Sequence, residues 1–423
     1  MYNIFSLPDF KFPEGFLWGS ATAAQQIEGN NIYNHHYIAE QNGEFEDKCG
    51  MACNSYELYE EDIKLLKKLG HQVYRLSVEW SRMEPEEGKW CEEAILHYVN
   101  ELKLLQANGI KVCLTLFHFT EPEWFYQKGA FHKRENIKYF ERYVEKVVPY
   151  FAPYVAMWNV LNEINGTDYA VNAVIAHGKA YHIIKKYSDR PVSTAHSFVM
   201  QYPQRPYDKL DNIMAQYRDL RINEFFFHAI RTGEIIYPGR DAEYIPEVKD
   251  SVDFWAINIY TRNMVDSRKA DLHGKRYPSK KLDMINKQFY LDEMYPEGVT
   301  ACLERLKDKP VYITENGCSS YDDDYRIVYI ALYLSAIKDA IDNGVDVSGY
   351  MYWSLMDNWE WGSYKPQFGL AAVDRKSFER TVRPSGYFYK DIIDANGFSQ
   401  EILRKYLTKL PYSVINAELE MRN

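Results

Sequence analysis

The chain lacks any run of about 18 apolar residues, the length a helix needs to cross a bilayer, so no membrane-spanning helix is expected. Its first stretch, Met1–Phe16, is broken by Pro8, Asp9, Lys11, Pro13 and Glu14. It has no basic segment followed by an apolar one, so no secretory leader is expected. Cysteine is sparse: Cys49, Cys53, Cys91, Cys113, Cys302 and Cys318 are scattered, and Cys49-x-x-x-Cys53 has no second pair to complete a zinc site. The reading is a reduced, cytoplasmic, metal-free protein. Basic excess is also missing. A net charge of −10 argues against nucleic acid as the main partner, since phosphate binding needs a basic surface. No Gly/Ser/Pro-rich linker or internal repeat divides the chain, so residues 1–423 read as one catalytic domain.

Aromatic residues are abundant, with 36 Tyr, 21 Phe and 9 Trp. Many must fill core, and others have the flat faces and hydrogen-bonding edges that a sugar site uses. Short β-rich runs alternate with segments of helical period. The expected strands are Phe16–Ala23, Val73–Trp80, Lys111–His118, Val155–Glu163, Val192–Ser197, Asp253–Tyr260, Val311–Asn316 and Val347–Ser354. Nearly continuous apolar runs such as Val112–Phe117 suit strands covered on both faces, as in parallel sheets. Between them, Asn54 and Glu57 resemble a capping box, with Gly70 closing that helix. Ile95, Val99, Leu102 and Leu105 form a stripe ended by Gly109; Ile327, Ile330, Leu334, Ile337 and Ile341 form another ended by Gly344. Eight strands with intervening helices, and no Gly-rich phosphate loop after the first, favour a closed (β/α)8 TIM barrel over an open doubly wound sheet. Residues 30–55, 199–250 and 262–300 are too long for simple connections and are expected to shape the barrel mouth. The charge runs Glu84–Glu87 and Asp322–Asp324 read as solvated loops.

Two strands end by presenting a carboxylate: Trp158-Asn159-Val160-Leu161-Asn162-Glu163 and Val311-Tyr312-Ile313-Thr314-Glu315-Asn316-Gly317. Strand ends of a parallel barrel converge on one mouth. Two carboxylates there are the minimum equipment for cleaving a glycosidic bond, one donating a proton and the other attacking the sugar carbon. Other strand ends add Gln26, Arg75, His118, Asn258, Tyr260 and Trp353, followed by Asp357-Asn358-Trp359-Glu360-Trp361. Polyhydroxylated rings need this mixture of donors, acceptors and flat faces. Singly, Trp353 and Tyr260 also suit core positions, His118 a satisfied barrel histidine and Arg75 a structural ion pair.

These strings, with Phe12-Pro13-x-Gly15-Phe16-Leu17-Trp18-Gly19-x-Ala21-Thr22 and Phe368-Gly369-Leu370, resemble glycoside hydrolase family 1, the β-glucosidase family. The resemblance implies retaining hydrolysis of a small β-glycoside or oligosaccharide without metal or organic cofactor. It makes Glu163 the acid/base and Glu315 the nucleophile, with Arg75 and Tyr260 flanking the nucleophile. Asn162 would bind the sugar 2-hydroxyl; Gln26, His118, Glu360 and Trp361 would hold the other hydroxyls, and Trp353 would be the stacking platform. A negative Glu360 would repel a 6-phosphate, favouring unphosphorylated substrates over the alternatives, a 6-phospho-β-glycosidase or a catalytically silent sugar-binding barrel. The chain departs from the family pattern at His118-Phe119-Thr120, where His-Trp-Asp is usual, and at Ile164, where Pro is usual. The Trp361–Phe368 loop is one residue shorter than common.

Overall fold

Each of the eight runs expected as a strand forms one, Val192–Ser197 and Val311–Asn316 at full length and the other six shorter than expected. The computed structural model describes residues 4–274 and 293–411. The strands are β1 (Leu17–Ala21), β2 (Val73–Ser77), β3 (Lys111–Phe117), β4 (Met157–Asn162), β5 (Val192–Ser197), β6 (Trp255–Asn258), β7 (Val311–Asn316) and β8 (Val347–Trp353). They close in the order β6-β7-β8-β1-β2-β3-β4-β5, with every neighbouring pair parallel. Around them run α1 (Ser55–Lys68), α2 (Glu92–Ala107), α3 (Ile137–Phe151), α4 (Ala170–Tyr187), α5 (Phe225–Thr232), α6 (Glu297–Leu303), α7 (Asp323–Asp342) and α8 (Pro384–Ala395). This is the (β/α)8 barrel.

Strand periodicity explains how the barrel carries a polar mouth on an apolar floor. Val73, Cys113, Met157, Ala195, Ala256 and Met351 pack together as one buried cluster in the barrel. Side chains two residues apart share a face of a strand. The next residues along that face are therefore Arg75, Thr115, Asn159, Asn258 and Trp353, and hydrogen bonds tie the first three together: Arg75 Nε donates to Thr115 Oγ1 (3.2 Å), as does Asn159 Nδ2 (3.3 Å). Outside the barrel the expected helical stripes are buried against the strands, including Ile95, Leu102 and Leu105 of α2 and Ile327, Ile330, Leu334 and Ile337 of α7. Gly70, Gly109 and Gly344 close their helices with positive φ.

Two local expectations are corrected. Asn54 stands before α1 in a left-handed conformation (φ +54°) and its side chain caps nothing; the Glu57 amide reaches the Asn54 backbone carbonyl instead (3.2 Å). Glu84 is fully buried rather than solvated: it accepts from the Trp80 indole (2.8 Å) and the Gly88 amide (2.6 Å), and pairs with Arg142. Asp322 likewise serves as N-cap of α7, accepting from Asp324 N (3.1 Å) and Tyr325 N (3.4 Å).

The long connections sit beyond the C-terminal ends of the strands. Within 30–55, helix His35–Gln41 brings His36 edge-on to Trp361, with ring centroids 5.5 Å apart. Segments Met200–Pro203 and Arg262–Val265 pair in parallel above β5 and β6. Of the expected 262–300 loop, residues 275–292 lie outside the described residues.

Candidate active site

Glu315, near the end of β7, is held from two sides. Arg75 Nη1 pairs with its Oε1, and the Tyr260 hydroxyl donates to its Oε2 (2.6 Å). Arg75 is only 1% exposed, so its charge needs several acceptors. It has them in Asn162 Oδ1 (2.6 Å), Thr314 O (3.3 Å), Asn258 Oδ1 (3.4 Å) and Thr115 Oγ1. The Glu315 carboxyl thus has a cation on one oxygen and a phenol donor on the other. The backbone that aims it depends on Gly317: a Cβ there would lie 1.8 Å from the Trp353 carbonyl oxygen, so only glycine lets the end of β7 pass β8.

Glu163 follows β4 in a left-handed conformation (φ +48°), an uncommon state for a non-glycine residue and one that clusters at functional sites. Its amide is anchored on Ala195 O (2.9 Å), and its Oε1 accepts from Asn258 Nδ2 (2.9 Å). Asn258 thus joins the two carboxyls. Its amide oxygen accepts from Thr314 Oγ1 (2.7 Å), next to Glu315, and from Arg75. Burial, then the charge of Glu315, push Glu163 up to about 7, against weaker opposition from the Asn258 hydrogen bond and Arg75. The two carboxyls therefore have environments that separate acid from base.

Glu360 is the third carboxyl at this mouth. Burial and Glu315 push it up to about 8, only partly opposed by hydrogen bonds from Gln26 and Trp353. Both causes oppose its ionisation, so the negative charge expected of this residue is disfavoured at the cavity. Three carboxyls around one small space do not all ionise together.

His118, Phe119, Asn162, Glu163, Tyr260, Glu315, Trp353, Glu360, Trp361 and Phe368 line a cavity of about 300 Å³. His118 lies nearly parallel to Trp353 (6.1 Å, 16°) and to Trp361 (5.9 Å, 14°). Burial lowers its pKa well below the usual histidine value, so the ring is neutral. Asn162 Nδ2 reaches its Nε2 (3.2 Å). Arg75 and Gln26 stand behind the lining, Gln26 donating to Asn358 Oδ1 (2.9 Å). All ten residues singled out from the sequence thus converge on one mouth. Three of their buried polar atoms, His118 Nδ1, Gln26 Oε1 and Glu360 Oε2, have no hydrogen-bond partner among the described residues. Buried polar atoms are nearly always satisfied, so unsatisfied ones in a concave site are where ligand hydroxyls belong.

Sequence reading placed Asn258 at a strand end without giving it a role, passed over Thr115 and Thr314 as site residues, and did not place Phe119 and Phe368 on the lining. The first three carried a signal: each is a polar residue inside an otherwise apolar strand, on the face that leads to the mouth. The two phenylalanines carried none, because loop geometry alone turns them inward.

Paired carboxyls in environments that divide acid from base, at the open end of a TIM barrel, are the equipment of a glycoside hydrolase, and this protein is one. Residues 9–171 and 167–398 match the model of glycosyl hydrolase family 1, and the chain belongs to that family. It is 29% identical over 448 aligned residues to Beta-glucosidase A of Acetivibrio thermocellus, covering 92% of this chain and 99% of the relative. It is also 28% identical to a 6-phospho-beta-galactosidase of Staphylococcus epidermidis, covering 91% and 98%. A solved β-glycosidase from Pyrococcus horikoshii superposes with a TM-score of 0.83 at 33% identity, covering 95% of this chain and 99% of that one.

Proposed function

We propose that this enzyme is a cytoplasmic retaining β-glucosidase acting on unphosphorylated β-glucosides, with Glu315 as nucleophile and Glu163 as acid/base. The observation that carries the proposal is the division of labour between two carboxyls on one cavity: Glu315 faces a guanidinium and a phenol, while burial and Glu315 itself raise the pKa of Glu163. In the first step Glu315 attacks the anomeric carbon as Glu163 protonates the departing glycosidic oxygen. In the second, Glu163, now a base, takes a proton from the water that opens the glycosyl-enzyme. Consumption of the Glu315 charge in the intermediate removes one cause of the raised Glu163 pKa, so the same residue changes role at the right moment. Asn162, His118, Gln26, Glu360 and Trp361 hold the ring hydroxyls, and Trp353 supplies the apolar stacking face. Proton NMR of the first product tests the stereochemistry: β-glucose is expected before mutarotation, and α-glucose as first product would overturn the mechanism.

The pH dependence follows from the raised acid. Glu163 must be protonated to act, so kcat/KM on substrates with poor leaving groups should fall as pH rises through about 7. The limb belongs to the coupled carboxyl set, Glu360 included, rather than to Glu163 alone. Activated aryl glucosides, which need little proton assistance, should show a shallower limb. Identical basic limbs for both substrate types would contradict the acid role.

The second reading, hydrolysis of 6-phosphoglycosides, is favoured by relatives of that printed activity. Because burial and Glu315 oppose ionisation of Glu360, like-charge repulsion from that residue does not by itself decide against it. The supply of cations does. Arg75 is committed to Glu315, and Lys365, in the loop after Trp361, is paired with Glu46. Among the described residues, a phosphate dianion entering the cavity would meet the Glu315 charge in a partly desolvated space with no cation on the lining to offset it. The kcat/KM for a β-glucoside should therefore exceed that for its 6-phosphate, and Glu360→Ser should move the ratio toward the phosphorylated substrate. A preference for the 6-phosphate in the unaltered enzyme would establish the second reading instead.

A further inference from the structure

Two loops from distant parts of the chain meet at a carboxylate that does not line the sugar cavity. Glu79, just past β2, is 2% exposed. Its Oε2 accepts from Asn31 Nδ2 (2.8 Å) and Ser81 Oγ (3.2 Å), and its Oε1 from Thr120 Oγ1 (2.6 Å). Its backbone amide donates to the Tyr98 hydroxyl (3.2 Å).

Two of these donors, Asn31 and Thr120, belong to segments that reach the cavity wall. Asn31 lies in the loop after β1. Its amide also donates to Gln25 Oε1 (2.9 Å), which accepts from Asn34 Nδ2 as well (2.6 Å). Asn34 in turn caps helix His35–Gln41 through the Tyr37 amide (2.8 Å), and that helix carries His36 against Trp361. Thr120 lies in the loop after β3, immediately after Phe119. Phe119 lines the cavity and meets Trp361 edge-on (5.3 Å, 77°) from a left-handed backbone (φ +67°). A bulky aromatic residue holds such a conformation only where its surroundings over-determine it. Here its neighbours do so on both sides: His118 is tied to Asn162, and Thr120 to Glu79.

We propose that Glu79 is a positioning residue for the sugar cavity, its bonds to Thr120 and Asn31 fixing the wall made by His118, Phe119 and Trp361. It touches neither reacting carboxyl and acts through the residues it fastens. The inference rests on the β-glucosidase reading, because the substrate held by that wall is the glucosyl ring. Loosening the wall weakens ground-state and transition-state binding together, which raises KM and leaves kcat largely intact. A residue that only stabilised the fold would instead lower the fraction of active enzyme and leave KM alone.

The test is Thr120→Val, which removes one hydroxyl from a bond to Glu79, compared with Thr120→Ser, which retains it. Kinetics use an aryl β-glucoside, with active enzyme counted by titration with a slow 2-fluoro glucoside. For Thr120→Val, KM should rise about tenfold with kcat per active site within about threefold of the parent, and Thr120→Ser should restore most of the KM. Glu79→Gln, similar in shape, gives the same split if the valine variant does not fold. A parental KM in the folded variants, or a serine variant no better than valine, would overturn the role of Glu79. No turnover by the unaltered enzyme would overturn the β-glucosidase reading instead, which keeps the two failures apart.

Discussion

Glu315→Gln is expected to reduce turnover of an activated aryl β-glucoside by more than about 10⁴-fold, because it removes the nucleophile of a covalent mechanism. The folded state should survive. Deleting one partner of a buried ion pair costs roughly 3–5 kcal/mol where it strands the other charge. Here Arg75 retains acceptors on Asn162, Thr314, Asn258 and Thr115. Loss of the Glu315 charge also removes one of the causes that raise Glu163 and Glu360, so either can ionise more readily and share the balancing of Arg75. The net change in stability is therefore expected to fall well below that range, readable as a small shift of the thermal midpoint. Mass spectrometry of the unaltered enzyme after a slow 2-fluoro glucoside should place the label on the peptide containing Glu315. A label on any other residue, or substantial turnover by well-purified Glu315→Gln protein, would move the nucleophile elsewhere.

The barrel was legible because parallel strands buried on both faces cannot hide. Val112–Phe117 reads as a continuous apolar run, and its helical neighbours switch to a visible 3.6-residue period. Glycine at helix ends was equally plain, since Gly70, Gly109 and Gly344 all take the positive φ that helix closure favours. Side-chain partners were not. Asn54 and Glu57 have the spacing of a capping box, yet spacing does not specify the left-handed backbone that turns the Asn54 side chain away from the helix. Glu84 opens an acidic run that looks solvated, and only the fold brings Trp80 and Arg142 to it.

At the site, Glu163 and Glu315 were legible as candidates because each stands at a strand end in an otherwise apolar string. The network beneath them was harder to see. Asn258 and Thr314 matter through partners on other strands, and the register shift that sets Asn258 opposite Glu315 cannot be read from either strand alone. Protonation was the least legible property. A glutamate letter carries a nominal charge, but Glu360 shares its space with Glu163 and Glu315, and the sum of the three decides which of them ionises. For the same reason a prediction about phosphate built on one letter needed the positions of Arg75 and Lys365 before it could stand.

Glu163→Ala should divide substrates by their leaving groups. General acid assistance contributes roughly 10²–10⁴-fold, and only where the departing oxygen needs a proton. Glucosides of alcohols or sugars should therefore lose about that factor in kcat/KM, whereas a dinitrophenyl glucoside should keep a kcat/KM near the parental value. Its second step should slow, because no base remains to activate water, and the glycosyl-enzyme on Glu315 should accumulate. Azide needs no deprotonation before it attacks, and removal of the Glu163 side chain takes away a carboxyl that would ionise against an incoming anion. Added azide should therefore raise kcat on the dinitrophenyl substrate and yield the β-glucosyl azide, its retained configuration marking two inversions through Glu315. Asn258 loses an acceptor in this variant but keeps Asn162 Oδ1 (3.0 Å), so the pocket's framework stays in place. Equal losses on good and poor leaving groups, or no azide adduct, would remove Glu163 from the acid/base role and leave the raised carboxyl at this mouth without a task.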